Sequence, residues 1–223
     1  MTEVTSLWSY LATSPLIWLT ATIFAYLVAD GVARQLGNPP WANPVLLSVL
    51  LIIPVLWLTQ TDYTTYFEGA QFIHFLLGPA TVALALPLWD NRDTIRTSVA
   101  PIVLALLTGS IVAAGSAIIL ARAFGLPTEV LLSLAPKSTT APVALGISEA
   151  IGGIPALTAV LVIMTGIIGA VTVTPLMNLL RITDWRARGF AVGVAAHGIG
   201  TARAFQVNPV AGAYASIAMA LNA

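Results

Sequence analysis

Apolar residues in this chain come in long unbroken blocks, with no repeat of 3.6 or of 2, and isolated charges separate the blocks. The charge-free runs are 4–29, 35–61, 69–89, 97–121, 150–180 and 204–223, measuring 26, 27, 21, 25, 31 and 20 residues. A bilayer core takes about 20 apolar residues as a helix, so each run reaches the length of a crossing. Soluble helices would show polar faces at the helical period, and these runs lack them. The pattern predicts an all-α, polytopic transmembrane helical bundle. The first run is read as a retained spanning helix and not as a signal peptide, because Glu3 and no Lys or Arg precedes it.

Helix one is expected over Pro15–Arg34, with the breaker Gly37-Asn38-Pro39-Pro40 after it. Helix two is expected over Trp41–Gln60, with Trp41 and Trp57 as interfacial anchors. The polar, aromatic stretch 61–71 reads as interfacial. The apolar piece from Phe72 to Trp89 is interrupted at Gly78-Pro79, and a charged turn follows at Asp90–Asp93. Helix four is expected over Ile95–Arg122, where Gly109, Ala113, Ala117 and Ala121 form a stripe for close contact. Two short pieces, Glu129–Ala135 and Val143–Ile151, flank a polar break and are too short to cross alone. Helix six is expected over Ile154–Leu180, then a loop with Arg181, Arg186 and Arg188, the broken segment Gly189–Arg203, and a short helix over Pro209–Asn222.

Short apolar pieces thus meet Gly, Pro or polar breaks at 76–81, 135–142 and 196–203. Irregular backbone at membrane depth is tolerated only where protein or a watery cavity satisfies it. The string Val82–Leu86 echoes Val143–Ile147, each shortly after a proline. Broken or re-entrant helices and an internal repeat are the marks of a secondary transporter. The chain reads as one integral membrane domain, 1–223, with 1–64 as scaffold helices and 65–223 as a core. Cationic loops at Arg34, at Arg92 and Arg96, and at Arg181–Arg188 all lie on the cytoplasmic side if 128–151 is a re-entrant hairpin. A broken crossing helix at 128–151 is the competing solution.

Composition agrees with the pattern. Only 8% of residues are charged, against roughly 25% in a soluble domain. The balance of 9 basic and 9 acidic residues provides no basic surface for nucleic acid. Without cysteine there is no disulfide or thiolate metal site. The two His residues are far apart and no carboxylates cluster near them, so neither a metal nor a cofactor is expected. No Ser-His-Asp order or nucleophile elbow occurs, so the chain is not expected to be an enzyme.

Charges inside the apolar body are costly and mark candidate function. Lys137 lies in Pro136-Lys137-Ser138-Thr139-Thr140-Ala141-Pro142. The prolines prevent a regular helix there. The three hydroxyls and a half-helix N-terminus near Pro142 would cradle a carboxylate or phosphate, although a snorkelling lysine in an interfacial loop is the alternative. In the second break, Gly198 and Gly200 permit unwinding or positive φ. There Thr201 offers a hydroxyl, Arg203 a forked donor set, and His197 a proton relay or a bond within the bundle. Gly189, Gly193 and His197 share one helical face. Pro79 and Thr81 line the third break or only kink it. His74 and Glu68 precede it and read as interfacial. Asp30 and Arg34 form an i,i+4 surface pair. Glu149 is a coupling candidate that could pair with Lys137 or Arg203.

Four ordered blocks resemble the LrgB/CidB family: Phe75–Leu88, Ala135–Pro142, Ile147–Pro155 and Ala195–Ala204, with Ala218–Asn222 like the family's usual close. The likeness covers about residues 15–223. One departure is Gln206, where the family tends to carry Glu. The resemblance implies a protein of the bacterial cytoplasmic (inner) membrane. The family was named as antiholin-like modulators of murein-hydrolase export with a small LrgA/CidA-type partner. Chloroplast relatives exchange glycolate and glycerate, and bacterial relatives are tied to pyruvate uptake. Lys137 and Arg203 are then the expected carboxylate partners and Ser138, Thr139, Thr140 and Thr201 the hydroxyl ligands. His197 is the expected proton group. Broken segments carrying cations and hydroxyls favour a transporter of small monocarboxylates over a regulator. Carriers of this kind are often homodimers.

Overall fold

A computed structural model describes residues 15–76, 79, 82, 83 and 85–223. Among the described residues every regular element is a helix. The chain divides into two units between Gly78 and Pro79.

The first unit holds α1 (Pro15–Gln35), α2 (Pro44–Leu58) and α3 (Tyr63–Phe75). Pro15 opens α1, and Gly37 and Asn38 take positive φ just beyond its end. Asp30 and Arg34 pair at 2.7 Å in its last turns, on the surface as expected. Asn43 caps α2, its Oδ1 accepting from Val45 N–H at 2.9 Å and Leu46 N–H at 3.2 Å. The helix α3 belongs with α1: buried Trp18 meets the Tyr66 ring edge-on, and the Thr22 and Tyr66 hydroxyls lie 3.1 Å apart. A Cβ on Gly69 would strike the Pro15 carbonyl and lie 2.8 Å from Trp18 Cβ. Helix α3 therefore belongs to the first unit with α1 and α2.

The second unit holds α4 (Ala85–Asp90), α5 (Arg92–Thr97), α6 (Val99–Ala123), α7 (Thr128–Leu134), α8 (Ala141–Ile151), α9 (Pro155–Leu179), α10 (Trp185–Val207) and α11 (Pro209–Leu221). Three described helices, α1, α6 and α9, are long and apolar enough to cross a membrane. Among the described residues the charge-free runs do not each form one full-length crossing helix. The 15 residues of α2 rise only about 22 Å, and the run 204–223 is divided between the end of α10 and α11. The surface of α6 is apolar, with Leu104, Leu107, Ile111, Val112, Ile119 and Leu120 all exposed. A helix so exposed and so apolar is solvated by lipid.

Hydroxyls close the segment after α7 on itself. Ser133 Oγ donates to the Glu129 carbonyl at 2.7 Å and accepts from the Ile154 N–H at 2.7 Å. Thr158 Oγ1 reaches the Ser133 carbonyl at 3.1 Å and Ser148 Oγ at 2.7 Å. Ser133, Ser148 and Thr158 are fully buried. Residues 134–153 thus end where they begin. This is a re-entrant hairpin, and the broken-crossing alternative falls. Gly153 makes the closure possible, since a Cβ there would stand 3.0 Å from Ser133 N.

Helix α10 is a second hairpin. At Ala196 (φ −132, ψ 17) and His197 (φ 41, ψ −137) the backbone leaves helical geometry and reverses. A Cβ on Gly200 would lie 2.8 Å from Val192 Cγ2 and 3.2 Å from the Val192 carbonyl. Residues eight apart in a straight helix are about 12 Å apart. Helix α11 then runs beside the first half of α10, with Gly189 against the Ala211 carbonyl and Gly193 against that of Ala215. These contacts are backbone to backbone and leave no room for a side chain.

Both hairpins are referenced to α9. The first closes at its start, at Ile154 and Thr158. The base of the second shares a wall with Val173, Thr174 and Met177 near its end. The tips meet its middle: His197 Nε2 lies 2.8 Å from the Val162 carbonyl, and missing Cβ atoms at Gly166 and Gly169 leave space for His197 and Ala196.

Candidate functional site

The tip of the first hairpin carries the polar break. Prolines at 136 and 142 and the turn at 135–140 keep it out of helix. Lys137 Nζ donates to Ser138 Oγ at 3.1 Å, and Thr139 Oγ1 donates to the Pro136 carbonyl at 3.0 Å. Thr140 is the N-cap of α8, but its hydroxyl caps nothing: Oγ1 is buried without a hydrogen-bond partner. A buried hydroxyl left unsatisfied is a costly feature that calls for an explanation.

Lys137 and Ser138 line a cavity of about 660 Å³ together with Thr108, Gly109 and Ala113 of α6, Thr165 and Gly169 of α9, and Ala195 at the second tip. The small-residue stripe of α6 supplies its floor, where Gly109 also admits Val194 (3.0 Å from a Cβ). Two helix N-termini begin within a few residues of its lining: that of α8, after Ser138, and that of the second half of α10, after Ala195. Their free N–H groups and partial positive charge add to the ammonium.

The other expected site residues fall elsewhere. His197 is buried, and its Nε2 must carry the proton it donates to the Val162 carbonyl. Its positive φ, a region that L residues rarely adopt, marks the reversal. The sequence placed that strain at Gly198 or Gly200, and neither has positive φ. A Cβ at Gly198 would make only an ordinary contact with Met219, whereas Gly200 lets the two halves of α10 approach. Thr201 Oγ1 donates back to the His197 carbonyl at 2.8 Å, inside the hairpin. Arg203 is buried at the hairpin base, with Gln206 Oε1 at 3.3 Å, in a separate cleft of about 20 Å³ shared with Arg188. Lys137 and Arg203 therefore do not converge on one ligand. Glu149 is exposed near the closed end of the first hairpin, and among the described residues it forms no ion pair with Lys137. Pro79 is exposed, while Thr81, with Gly78 and Ala80, lies outside the described residues. Among the described residues no cluster of His and carboxylates could hold a metal.

Asn222 was not foreseen. Its Nδ2 donates to the Ser138 carbonyl and to the Val194 carbonyl, each at 3.3 Å, and its Oδ1 accepts from Ser110 Oγ at 2.6 Å. It joins both hairpin tips to the middle of α6. The signal available in the sequence was Ser110, a hydroxyl set in an apolar run.

Comparisons with known proteins give the chain a family. The LrgB-like family pattern matches residues 22–223. The uncharacterized protein YwbG of Bacillus subtilis is 35% identical over 208 residues, covering 93% of this chain and 92% of that one. The holin-like protein CidB of Staphylococcus aureus is 33% identical over 208 residues, covering 93% of this chain and 90% of that one. No solved structure matches. With nearly its whole length matched, the chain belongs to the LrgB-like family of membrane proteins.

Proposed function

We propose that this chain is a secondary transporter of small monocarboxylates of the glycolate, glycerate, pyruvate or lactate type. It works by ion-coupled alternating access, as a homodimer in the bacterial cytoplasmic membrane, and performs no covalent chemistry. The observation that carries this reading is the meeting of two half-length hairpins, from opposite ends of α9, around a cavity lined by Lys137. Broken segments that place helix ends at mid-membrane are the architecture in which carriers bind ions and polar solutes. A lysine there costs about 3 kcal/mol to bury, a cost that an anionic ligand offsets. Lys137 and Ser138 supply the carboxylate with an ammonium and a hydroxyl, and Thr165 lines the same cavity. Arg203 drops out of the ligand set. Arg181, Arg186 and Arg188 put the base of the second hairpin on the cytoplasmic side.

Uptake of labelled glycolate, glycerate, pyruvate and lactate into proteoliposomes tests the proposal. Failure of the purified chain to move any of them, alone or with an LrgA/CidA-type protein, would overturn it. A second reading, a regulator acting through such a partner, draws on the holin-like name of the staphylococcal relative. It predicts co-purification with the partner and indifference to Lys137→Ala.

A further inference from the structure

Reversal of α10 at His197 removes the Val194 carbonyl from helical service. In an unbroken helix it would accept from the residue four places on. The Ser138 carbonyl lies in the irregular first tip and faces the same need. Buried or half-buried carbonyls left unpaired are costly. A single amide group meets both, because a primary amide has two N–H donors and one acceptor. Asn222 spends one N–H on each carbonyl and turns its oxygen to the Ser110 hydroxyl. The surroundings also fix which end of the amide is which, since a reversed amide would set its oxygen against two carbonyls. No other side chain of this length has that set of groups. Asp has no donor when ionised, and Leu and Ala have neither donor nor acceptor.

We propose that Asn222 is a positioning residue that ties the two hairpin tips to each other and to α6, and so holds Lys137 in the cavity. The tie acts one residue from the cation, through the Ser138 main chain, while the Ser138 hydroxyl holds the ammonium itself. The tips then shift as one body with α11 and do not open as separate gates. The effect on uptake rests on the carrier reading above; the tie itself does not.

Two measurements separate them. Hydrogen–deuterium exchange in lipid nanodiscs is compared for the full chain and for Asn222→Ala, Asn222→Asp and Ser110→Ala. Exchange at 137–140 and at 195–199 should accelerate together in Asn222→Ala and less in Ser110→Ala, with the core of α9 unchanged. Unchanged exchange at either tip overturns the tie, whether or not the protein transports. In proteoliposomes, Asn222→Ala should raise the apparent KM for the carboxylate about tenfold or more. Asn222→Asp should match it at pH 7.5. It should recover toward the unaltered protein, measured at the same pH, as the medium falls through the ordinary aspartate range, about pH 4, and protonation restores one donor. A purely structural role would not produce that pH-dependent recovery, and full activity of Asn222→Asp at pH 7.5 refutes the proposal. If the unaltered chain moves no carboxylate, the carrier reading fails and the exchange data still decide the tie. If Asn222→Ala does not fold, Asn222→Asp and Ser110→Ala carry both tests.

Discussion

The Ile154 N–H donates to Ser133 Oγ across 2.7 Å, and the two residues are 21 apart in sequence. That bond forces the first hairpin to close at the start of α9. Ser133→Ala removes the acceptor and leaves the part-buried N–H without it, at a cost of about 1 kcal/mol. The expected result is a lower apparent Tm in detergent, with early proteolysis between Leu134 and Gly153. Ser133→Ala with unaltered thermal stability would contradict this closure.

His197 combines a positive φ with a bond to the Val162 carbonyl. His197→Ala loses the bond and keeps the strain, whereas His197→Gly loses the bond and releases it. The glycine variant should be the more stable of the two by about 1 kcal/mol. Paired chemical-denaturation or thermal curves in one detergent check the order.

Glycines in the second unit differ in what they permit. A Cβ at Gly193 would meet the Ala215 carbonyl, while one at Gly146 meets nothing within 4 Å. Gly193→Ala should destabilise by about 1–3 kcal/mol through overpacking. Gly146→Ala, on the exposed side of α8, should be neutral or stabilising by up to about 1 kcal/mol.

Lys137 and Arg203 line different cavities and should give different kinetic signatures. Lys137→Ala should abolish carboxylate uptake while leaving the protein monodisperse. Arg203→Ala should lower yield and stability but leave the apparent KM of the surviving protein within about twofold. Matching KM increases in both variants would return Arg203 to the ligand site.

Asp184 caps α10, accepting from the Arg186 N–H at 2.8 Å, and pairs with the Arg186 guanidinium. Those hydrogen bonds and the charge of Arg186 hold its carboxyl down at about 2. A lowered folded value means the contribution is complete above the ordinary aspartate range and is lost as pH falls through about 2. Stability attributable to this group should be flat from pH 5 to 8. Asp184→Asn keeps the cap oxygen and should change stability less than Asp184→Ala across that range.

The sequence reported long helices well because they are read by length: α1 and α9 lie within a residue of their expected ends, and so does the shorter α11. It also located the break at 135–142, since Pro136 and Pro142 interrupt a helix in any context, and the one at 196–203, while most of 76–81 lies outside the described residues. It could not show that α10 doubles back. That reversal sits at a histidine with positive φ and not at either neighbouring glycine, and local propensity points to the glycines. Nor could it separate Lys137 from Arg203. Their distance depends on Ser133 meeting Ile154 and Val192 meeting Gly200, contacts that no local pattern encodes. Asn222 was hidden for the same reason: its three partners come from three elements.

The glycine–carbonyl seam between α10 and α11 bears on how the protein is made. Neither half of α10 has the length or hydropathy that an insertion machinery retains in lipid by itself. Only α11, synthesised after them, supplies the backbone face that Gly189 and Gly193 fit. The hairpin is therefore coupled to an element that follows it in the chain, and its close packing is complete only with α11 in place.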